Sequence, residues 1–305
     1  MPVSPEHRTF RLALATCEAI PGAYPDDAHL VASLQALGVE PVPCVWSDAA
    51  VDWASFDAVL IRTTWDYFQR FAEFCQWLDR LPVPTLNPAP MLRWNADKRY
   101  LLELAARGVP IIPMRVAAGP ALADLLAGLP GRDVVVKPAV SGGAWHTVRG
   151  VVGTPEFAQA ISQLPAEFDY LVQDFVPEIV SAGEWSLLFF DGRFSHAVLK
   201  RAATGDYRVQ SQHGGTLESL EPDPATLASA QRVMDAAAEL GFGDSAYARV
   251  DGVIVGGRFQ LMELEVIEPA LFLADRPEAA ERFAGVVLSR LRRLRAELPA
   301  VRARI

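Results

Sequence analysis

Short apolar runs alternate with amphipathic segments in the first ninety residues. Three runs have the length and composition of buried strands: Arg11–Cys17, Glu40–Trp46 and Phe56–Arg62. Two segments repeat apolar residues at helical spacing: Asp27–Leu37 and Phe71–Leu81. Strand, helix and strand in this order predict a parallel sheet with right-handed crossovers. The prolines from Pro82 to Pro90 then mark the boundary of an N-terminal domain, residues 1–90.

Beyond this boundary the pattern predicts a mixture of helices, strands and hairpins. A helix is expected over Asn95–Arg107, with Asn95 as its N-cap and Gly108 as its stop. The other expected elements are strands Asp133–Lys137 and Tyr170–Phe175, hairpins Glu184–Arg201 and Tyr247–Val266, and helices Ala225–Leu240 and from Pro277 onward. The polar segment 202–222, long for a structureless loop, has the character of a lid or binding loop. The fold class is therefore α/β (α+β), with further units at 91–175 and 176–305.

Charge and cysteine content narrow the classes of function. The 305-residue chain has a net charge of −9 and 51% hydrophobic residues. It lacks the basic footprint of a nucleic-acid binder, and no run approaches the roughly 18 apolar residues of a membrane span. Its three cysteines have no metal-ligand spacing, and the N-terminus has no signal-peptide core. We therefore expect a cytoplasmic protein without nucleic-acid or membrane partners.

The last predicted hairpin places carboxylates inside otherwise apolar strands. Asp251 lies on its first strand, and Glu263 and Glu265 lie on its second. A two-residue Gly256-Gly257 loop would put Asp251 opposite Met262, whereas a three-residue loop would put it opposite Glu263, with all three carboxylates on one face. In the second register these oxygen ligands suit Mg²⁺. A solvated acidic face remains the alternative.

Further polar residues stand where strands and helices begin or end. Lys137 ends a run of valines before Pro138, and the small loop Ser141-Gly142-Gly143 follows it. Backbone N–H groups in such a loop can approach phosphate oxygens. Lys98 lies near an expected helix start, and the strand end Gln173-Asp174-Phe175-Val176 offers extended backbone to a flat heterocycle. No Walker or Rossmann motif is present, so a nucleotide site must be of another kind.

These features occur in the order found in the ATP-grasp superfamily, and the chain resembles its ligases, such as prokaryotic glutathione synthetase and D-alanine–D-alanine ligase. The resemblance covers residues 95–273 and implies a pre-ATP-grasp domain followed by a two-lobed ATP-grasp module. Arg249-Val250-Asp251 matches Arg-x-Asp, and Glu263-Leu264-Glu265 matches Glu-x-Asn with Glu in place of Asn. Glu268-Pro269 stands where the family often has Ser-Pro. Together with Arg62–Tyr67, this segment is similar to the branch containing the O-ureidoserine cyclo-ligase of D-cycloserine biosynthesis.

The resemblance also implies the roles of individual residues. Lys98, Lys137 and the loop Ser141–Gly143 would bind the phosphates of ATP, Gln173, Asp174, Phe175 and Val176 the adenine, and Glu178 the ribose. Mg²⁺ would be held by Asp251, Glu263 and Glu265. The catalytic residues would be Arg249, Lys137 and Lys200, with Arg249 facing an acylphosphate and its tetrahedral intermediate. The expected substrate residues are Thr63, Trp65, Asp66, Arg208 and Glu268.

Three functions follow as hypotheses. The first is an ATP-dependent ligase that joins a carboxylate to an amine in an amino acid or its derivative, including intramolecular cyclisation. The second is a two-substrate ligase similar to glutathione synthetase or a dipeptide ligase. The third is a nucleotide-binding protein without turnover, which is disfavoured because the carboxylates, both lysines and the arginine are all present. The resemblance also implies a small-molecule substrate and a homo-oligomer, a dimer or tetramer.

Overall fold

The computed structural model describes residues 9–302 except 204, 207 and 210–213. The N-terminal unit contains strands β1 (Phe10–Thr16), β2 (Val39–Val45) and β3 (Ala58–Thr63) and helices α1 (Ala28–Ala36) and α2 (Phe71–Arg80). The sheet order is β2-β1-β3, and both pairings are parallel, as the strand–helix–strand pattern predicts. Pro41 and Pro43 are tolerated in β2 because it is an edge strand, where ladder donors are dispensable.

A second, antiparallel sheet follows. It has the order β4-β7-β5-β6, with β4 at Met114–Ala118, β5 at Asp133–Pro138, β6 at Val148–Val151 and β7 at Asp169–Asp174. Helices α5 (Leu122–Ala127) and α6 (Pro155–Ser162) cover its apolar face, where Val134, Val136 and Phe157 are buried. The spacing of apolar residues predicted β5 and β7, whereas β4, β6 and the two short helices were not foreseen.

The third sheet is also antiparallel and has five strands in the order β10-β9-β8-β11-β12. Their bounds are Glu184–Phe190 for β8, Arg193–Arg201 for β9, Thr216–Ser219 for β10, Tyr247–Val255 for β11 and Arg258–Glu265 for β12. Both predicted hairpins are present, β8–β9 and β11–β12. Strand β10 lies within the polar segment 202–222, which was expected to be a lid or binding loop and in which no strand was predicted. Residues 204, 207 and 210–213 of this segment lie outside the described part.

The helix expected over Asn95–Arg107 is two helices, and this prediction was wrong. Helix α3 spans Ala89–Ala96, and α4 spans Tyr100–Ala106. Asn95 is therefore in the last turn of α3, where its amide bonds to Leu264 O and Val266 N at the edge of β12. The backbone of Asp97 is extended, and its carboxylate accepts from Arg99 N at 3.0 Å. Lys98 lies in this break, and its N–H donates to Ala139 O at 2.8 Å.

Three further α-helices follow in the described part of the chain, where four short 3-10 helices also lie at Pro25–Asp27, Trp53–Ser55, Tyr67–Arg70 and Gly119–Ala121. The three α-helices are α7 (Glu178–Ser181), α8 (Pro224–Glu239) and α9 (Pro277–Arg302). Helix α8 packs with α4 on one face of the five-stranded sheet, over Leu187, Phe189 and Val250. Helix α9 packs against α1 and shares a core with both the N-terminal sheet and the other face of the five-stranded sheet. No helix among the described residues has the length and apolar character needed to cross a membrane.

Candidate active site

The β11–β12 hairpin brings two of the predicted carboxylates opposite each other. Asp251 pairs with Glu263, and Arg249 pairs with Glu265. The loop nevertheless has two residues, Gly256 and Gly257, which both have positive φ as a tight hairpin turn requires. The register changes between Asp251 and Gly252, where Met262 forms a β-bulge. The expected pairing is therefore present, but the three-residue loop was the wrong explanation for it.

The bulge depends on a close approach of the two strands. A Cβ atom at Gly252 would lie 2.3 Å from Phe259 Cζ and 2.6 Å from Gln260 O. Only glycine has no Cβ, so Gly252 allows the backbone to cross the bulge without a clash. The extra residue turns the side chains that follow it by one position, which places Glu263 on the face that carries Asp251.

This face of the sheet forms one wall of a cavity of about 500 Å³ between the two antiparallel sheets and the end of β3. Its charged groups are interleaved. The Lys98 ammonium is 2.6 Å from Glu263, and Arg249 donates bidentately to Asp251 at 2.9–3.0 Å and also to Glu265. Lys200 pairs with Glu184 and lies 3.5 Å from Asp251. Burial of a charge is tolerated where it contacts a charge of the opposite sign, which holds for Lys98, Glu263, Arg249, Asp251 and Lys200.

The acidic groups of the cavity divide into two classes. Burial opposes the charge of Asp251 and of Glu263, but Arg249 and Lys200 lower the pKa of Asp251 on balance, and Lys98 and Lys137 lower that of Glu263. Burial raises the pKa of Glu265 to about 7, against the effect of Arg249. Burial and the Glu265 charge raise the pKa of Glu268 to about 8. Glu265 and Glu268 are therefore the carboxyl groups of the cavity that burial drives most strongly towards the neutral form.

Two predicted phosphate-binding lysines line the same cavity. Lys98 Nζ donates to Ser141 O at 2.7 Å, which ties it to the small loop that follows β5. The Lys137 ammonium has no hydrogen bond or ion pair to any described residue, and burial lowers its pKa. Gly142 lies against Phe68, and Gly143 has φ of +56°. An anion in the cavity would complete the surroundings of Lys137, as the role in phosphate binding requires.

The predicted adenine-binding residues also line the cavity. Gln173, Asp174, Phe175 and Val176 lie at and beyond the end of β7. The Gln173 amide nitrogen is buried and has no partner among the described residues, so a ligand could satisfy it. Phe175 N donates to Asp133 O at 3.0 Å. Glu178, expected near the ribose, begins helix α7 and does not line the cavity.

The expected substrate residues are not all at the cavity. Trp65, Arg208 and Glu268 line it, and Arg208 is paired with Asp206 at 2.8 Å. Thr63 and Asp66 do not: Thr63 bonds to Thr16 at 2.7 Å, and Asp66 accepts from Trp46 Nε1 at 2.7 Å. Both side chains hold the N-terminal unit together at the end of β3, although the carboxyl ends of parallel strands commonly bind ligands.

Several residues of the cavity were not identified from the sequence. Glu184 pairs with Lys200, Ser186 donates to Asp251, and Tyr24 and Phe272 contribute aromatic walls. The signal for Glu184 was available, since it is an acid at the start of an apolar strand. Phe272 has φ of +52°, a conformation rare for a residue with a Cβ. Nothing in the sequence indicated that conformation.

The donor chemistry of the cavity fits magnesium and a nucleotide only in combination. Asp251, Glu263 and Glu265 do not form a ready-made three-ligand cluster, and none occurs elsewhere in the described residues. Each of the three carboxylates is paired with a cation instead. Mg²⁺ characteristically binds through one or two carboxylates together with substrate phosphates. The carboxylates and the unpaired Lys137 are therefore suited to a metal that arrives with phosphate groups.

Comparison with known proteins identifies close relatives. The family model "D-cycloserine synthetase DcsG, N-terminal domain" matches residues 12–87. The cycloserine biosynthesis protein DcsG of Streptomyces lavendulae is 33% identical over 297 residues, which cover 92% of this chain and 99% of that protein. The crystal structure of D-cycloserine synthetase DcsG superposes with a TM-score of 0.82 at 32% identity, with the same coverage of both chains.

More distant relatives share the fold. The D-alanine–D-alanine ligase of Geobacter sulfurreducens is 28% identical over 186 residues, 60% of this chain and 58% of that protein. A RimK domain ATP-grasp protein of Sphaerobacter thermophilus has a TM-score of 0.65 at 20% identity, covering 91% and 98% of the two chains. The D-alanine–D-alanine ligase of Bacillus anthracis complexed with ATP has a TM-score of 0.64 at 16% identity, covering 94% and 99%. The expected α/β (α+β) ATP-grasp class is confirmed.

Proposed function

The chain belongs to the family of D-cycloserine synthetase DcsG within the ATP-grasp ligases, and on that premise we propose that it cyclises an amino-acid derivative such as O-ureidoserine to cycloserine. Membership makes the protein an ATP-dependent ligase that forms an amide-type bond in a small amino-acid derivative. The identity of 33%, spread over almost the full length of both chains, is the observation that carries the proposal of cyclisation.

In the proposed reaction, a carboxylate oxygen of the substrate attacks the γ-phosphorus of ATP and ADP leaves. The nitrogen bonded to the side-chain oxygen then attacks the acyl carbon, loses its proton to water and displaces phosphate. Water must also remove the carbamoyl group of that nitrogen, as carbon dioxide and ammonia, to give cycloserine. The protein contributes position and charge rather than covalent chemistry. Lys137 supports this role because its ammonium lines the cavity without a partner among the described residues. Lys98 is fixed against the loop carbonyl of Ser141, so it can hold that loop beside the phosphates.

Arg249 is proposed to stabilise charge on the reacting carboxyl group. Its guanidinium is fixed by Asp251, Glu265 and the Ala270 carbonyl, so no reorganisation is needed when charge develops nearby. Its pKa is raised on balance by Asp251 and Glu265 despite burial, so it stays charged throughout. Lys200 is held in the same way by Glu184 and Asp251, and is proposed to attract the carboxylate of the substrate.

Asp251, Glu263 and Glu265 are proposed to bind Mg²⁺ together with the phosphates. The bound metal would neutralise phosphate charge and orient the γ-phosphate. The carboxylates must exchange part of their pairing with Arg249 and Lys98 to do so. Among the three carboxylates, Glu263 is the most accessible to a metal. Its side chain is 28% exposed, compared with 24% for Glu265 and 3% for Asp251.

Release of ADP with O-ureidoserine, followed by mass analysis of the product, tests the proposal. We expect ADP release that depends on Mg²⁺ and one cyclised product, with no second amine required. Screening an amino-acid library under the same conditions provides the comparison. If ADP appears only when two amino acids are supplied, the two-substrate alternative holds, for which the partial match to a D-alanine–D-alanine ligase is the supporting observation.

The remaining expectations belong to the same proposal. A small-molecule substrate agrees with the family, whereas the cytoplasmic location and the homo-oligomer stay predictions. Light scattering of the purified protein measures its mass against the 33.2 kDa of one chain. A mass near twice or four times that value is the outcome expected for a dimer or tetramer.

A further inference from the structure

Two polar side chains at one end of the cavity lack partners. Apart from its own backbone N–H, no donor among the described residues bonds to the Glu268 carboxylate. The Tyr67 hydroxyl also has no hydrogen-bond partner among those residues, although only 3% of the residue is exposed. Both residues line the cavity. Tyr67 is buried and Glu268 is half-buried, and both open on the cavity, so we expect a bound molecule to be the partner of these two groups.

Aromatic rings line the cavity beside these two groups. Tyr24 and Trp65 meet edge to face with their centroids 4.9 Å apart, and Tyr67 and Phe68 meet at 5.7 Å. All four rings line the cavity. Aromatic faces attract cations through their quadrupole, and most strongly where water is excluded. A carboxylate beside aromatic faces is therefore a surface for a compact cation with several hydrogen-bond donors.

The backbone that presents Glu268 is held in place from both sides. Trp65 Nε1 donates to the Glu268 carbonyl at 3.1 Å, and Arg62 donates to the Pro269 carbonyl at 3.3 Å. From the five-stranded sheet, Arg249 donates to the Ala270 carbonyl at 3.1 Å. Three successive carbonyls are thus fixed by side chains remote in sequence. A site whose backbone is fixed in this way loses little entropy when a ligand binds.

We propose that Glu268 and Tyr67, within the aromatic wall of Tyr24, Trp65 and Phe68, bind the free α-ammonium group of the substrate. This inference rests on the proposed function and names the group by which the substrate is recognised. A carboxylate or phosphate group would be repelled at this position, because Glu265 and Glu263 add further negative charge. An ammonium group brings three donors and the missing positive charge.

The covalent geometry of an amino acid agrees with this position. The α-nitrogen and the carboxyl carbon are bonded to the same Cα and so are about 2.5 Å apart. The ammonium site must therefore adjoin the group that stabilises the reacting carboxylate. Arg249 satisfies this condition, because it contacts both Glu265 and the carbonyl two residues after Glu268. Binding at Glu268 would fix the carboxylate beside Arg249.

The test compares O-ureidoserine with its deamino analogue, 3-(ureidooxy)propanoate, in wild type and E268Q. For wild type we expect kcat/KM for ADP release to fall roughly 10²–10³-fold when the amino group is absent, since a site built for a polar group rejects an analogue that lacks it. In E268Q the same comparison should give a difference of about tenfold or less, with KM for ATP unchanged. Y67F should give an intermediate discrimination.

Glu281 offers a matched control, because it is exposed on α9 and E281Q makes the same chemical change far from the cavity. Full discrimination in E268Q would overturn the ammonium site. Full discrimination combined with a higher Mg²⁺ requirement would also overturn it and would assign Glu268 to the metal. Calorimetric binding of both compounds, with Mg²⁺ and a non-hydrolysable ATP analogue, covers variants that bind without turnover. If wild type neither releases ADP with O-ureidoserine nor binds it, both the proposed function and the ammonium site are wrong. If E268Q turns over O-ureidoserine and still discriminates fully against the deamino analogue, only the ammonium site is wrong.

Discussion

Lys98 and Glu263 connect the proposed phosphate-binding end of the cavity with its proposed metal-binding end. Burial lowers the pKa of Lys98, but Glu263, Glu265 and Glu268 raise it on balance, so the ammonium stays charged. Lys98 also donates to Ser141 O in the small loop. The buried Lys98 side chain therefore links Glu263 on β12 to the loop Ser141–Gly143. Substitutions on either side of this link are expected to affect ATP chemistry more than folding.

For E263Q we expect ADP release to fall at least about 10³-fold, because the substitution removes one proposed metal ligand and the charge that faces Lys98. The fold should be retained, since glutamine has the same shape and can still accept a hydrogen bond from Lys98. Circular dichroism and an ADP-coupled assay measure the two properties, with E281Q as control. Normal ADP release by a folded E263Q would remove Glu263 from the metal site.

The Glu268 carboxyl group predicts a pH dependence of stability in the ligand-free protein. Its pKa is about 8 in the folded chain and has its ordinary value of 4.5 in the unfolded chain. Between these values the folded state binds more protons, so stability falls as pH rises through this window. E268Q cannot ionise and lacks this loss. We expect the Tm of E268Q to exceed that of wild type at pH 8.5 but not at pH 4.5.

The stability difference at pH 8.5 should be roughly 1–2 kcal/mol, after allowance for the partial exposure of the side chain to solvent in the cavity. Thermal melts of wild type, E268Q and E281Q at five or six pH values measure it. Equal slopes of Tm against pH for wild type and E268Q would show that the Glu268 carboxylate is not in the environment described.

At the level of elements, the β11–β12 bulge determines where the carboxylates lie. G252A would place a Cβ 2.6 Å from the Gln260 backbone oxygen, which cannot move without shifting β12. We expect a loss of roughly 2–4 kcal/mol in unfolding free energy and a larger than tenfold loss of ADP release, because Glu263 and Asp251 would separate. Denaturant unfolding and the ADP assay measure the two effects.

G256A is the matched control within the same hairpin. Its Cβ would meet no atom within 4 Å, but φ of +56° costs about 1–2 kcal/mol for a residue with a Cβ. This variant should lose stability and keep its activity. If G252A also keeps its activity, the bulge does not position the metal ligands.

The elements that the sequence predicted are those with a strong local pattern. The apolar runs of β1 and β3 and the turn residues of both hairpins identify them without tertiary information. The break between α3 and α4 could not be foreseen, because Asn95 and Tyr100 bond to Leu264 on β12, which is 169 and 164 residues away from them in sequence. The β-bulge could not be foreseen either, because nothing about a methionine at position 262 distinguishes it from a residue in a regular strand.

The site was predictable to the extent that its residues occur in the order of the family. That order located Lys98, Lys137, Asp251, Glu263 and Glu265, all of which line one cavity. It did not locate Glu184, which belongs to no motif, and it included Tyr67 only as part of the segment Arg62–Tyr67, without a role. It also did not distinguish Trp65, which faces the cavity, from Thr63 and Asp66, which bond within the N-terminal unit. That distinction depends on how β3 ends.

At the scale of the whole molecule, one core joins the N-terminal sheet to the five-stranded sheet. Leu12 and Leu60 of the first sheet and Leu188 and Phe190 of the second are buried with Phe283 of α9 in a single cluster. The proposed boundary at residue 90 therefore separates segments of sequence whose side chains share a core. The small lobe, which is the β4-β7-β5-β6 sheet with helices α5 and α6, has its own cluster around Val134 and Phe157. We therefore expect substitutions in the two clusters to have different effects on cooperative unfolding.

Phe283 stacks on Phe190 at 4.6 Å and meets Tyr247 edge to face at 5.7 Å. F283A should cost roughly 3–5 kcal/mol, because the shared core cannot collapse around the missing ring. Since the N-terminal and five-stranded sheets both depend on it, we expect scanning calorimetry to show their common transition moving to lower temperature without splitting. F157A, a matched substitution in the small-lobe cluster, should leave that transition nearly unchanged and destabilise the small lobe instead. If F283A instead produces a separate N-terminal transition, the first ninety residues fold on their own. The hydrogen bonds from Arg62 and Trp65 to the backbone of Pro269 and Glu268 would then be contacts between independent domains.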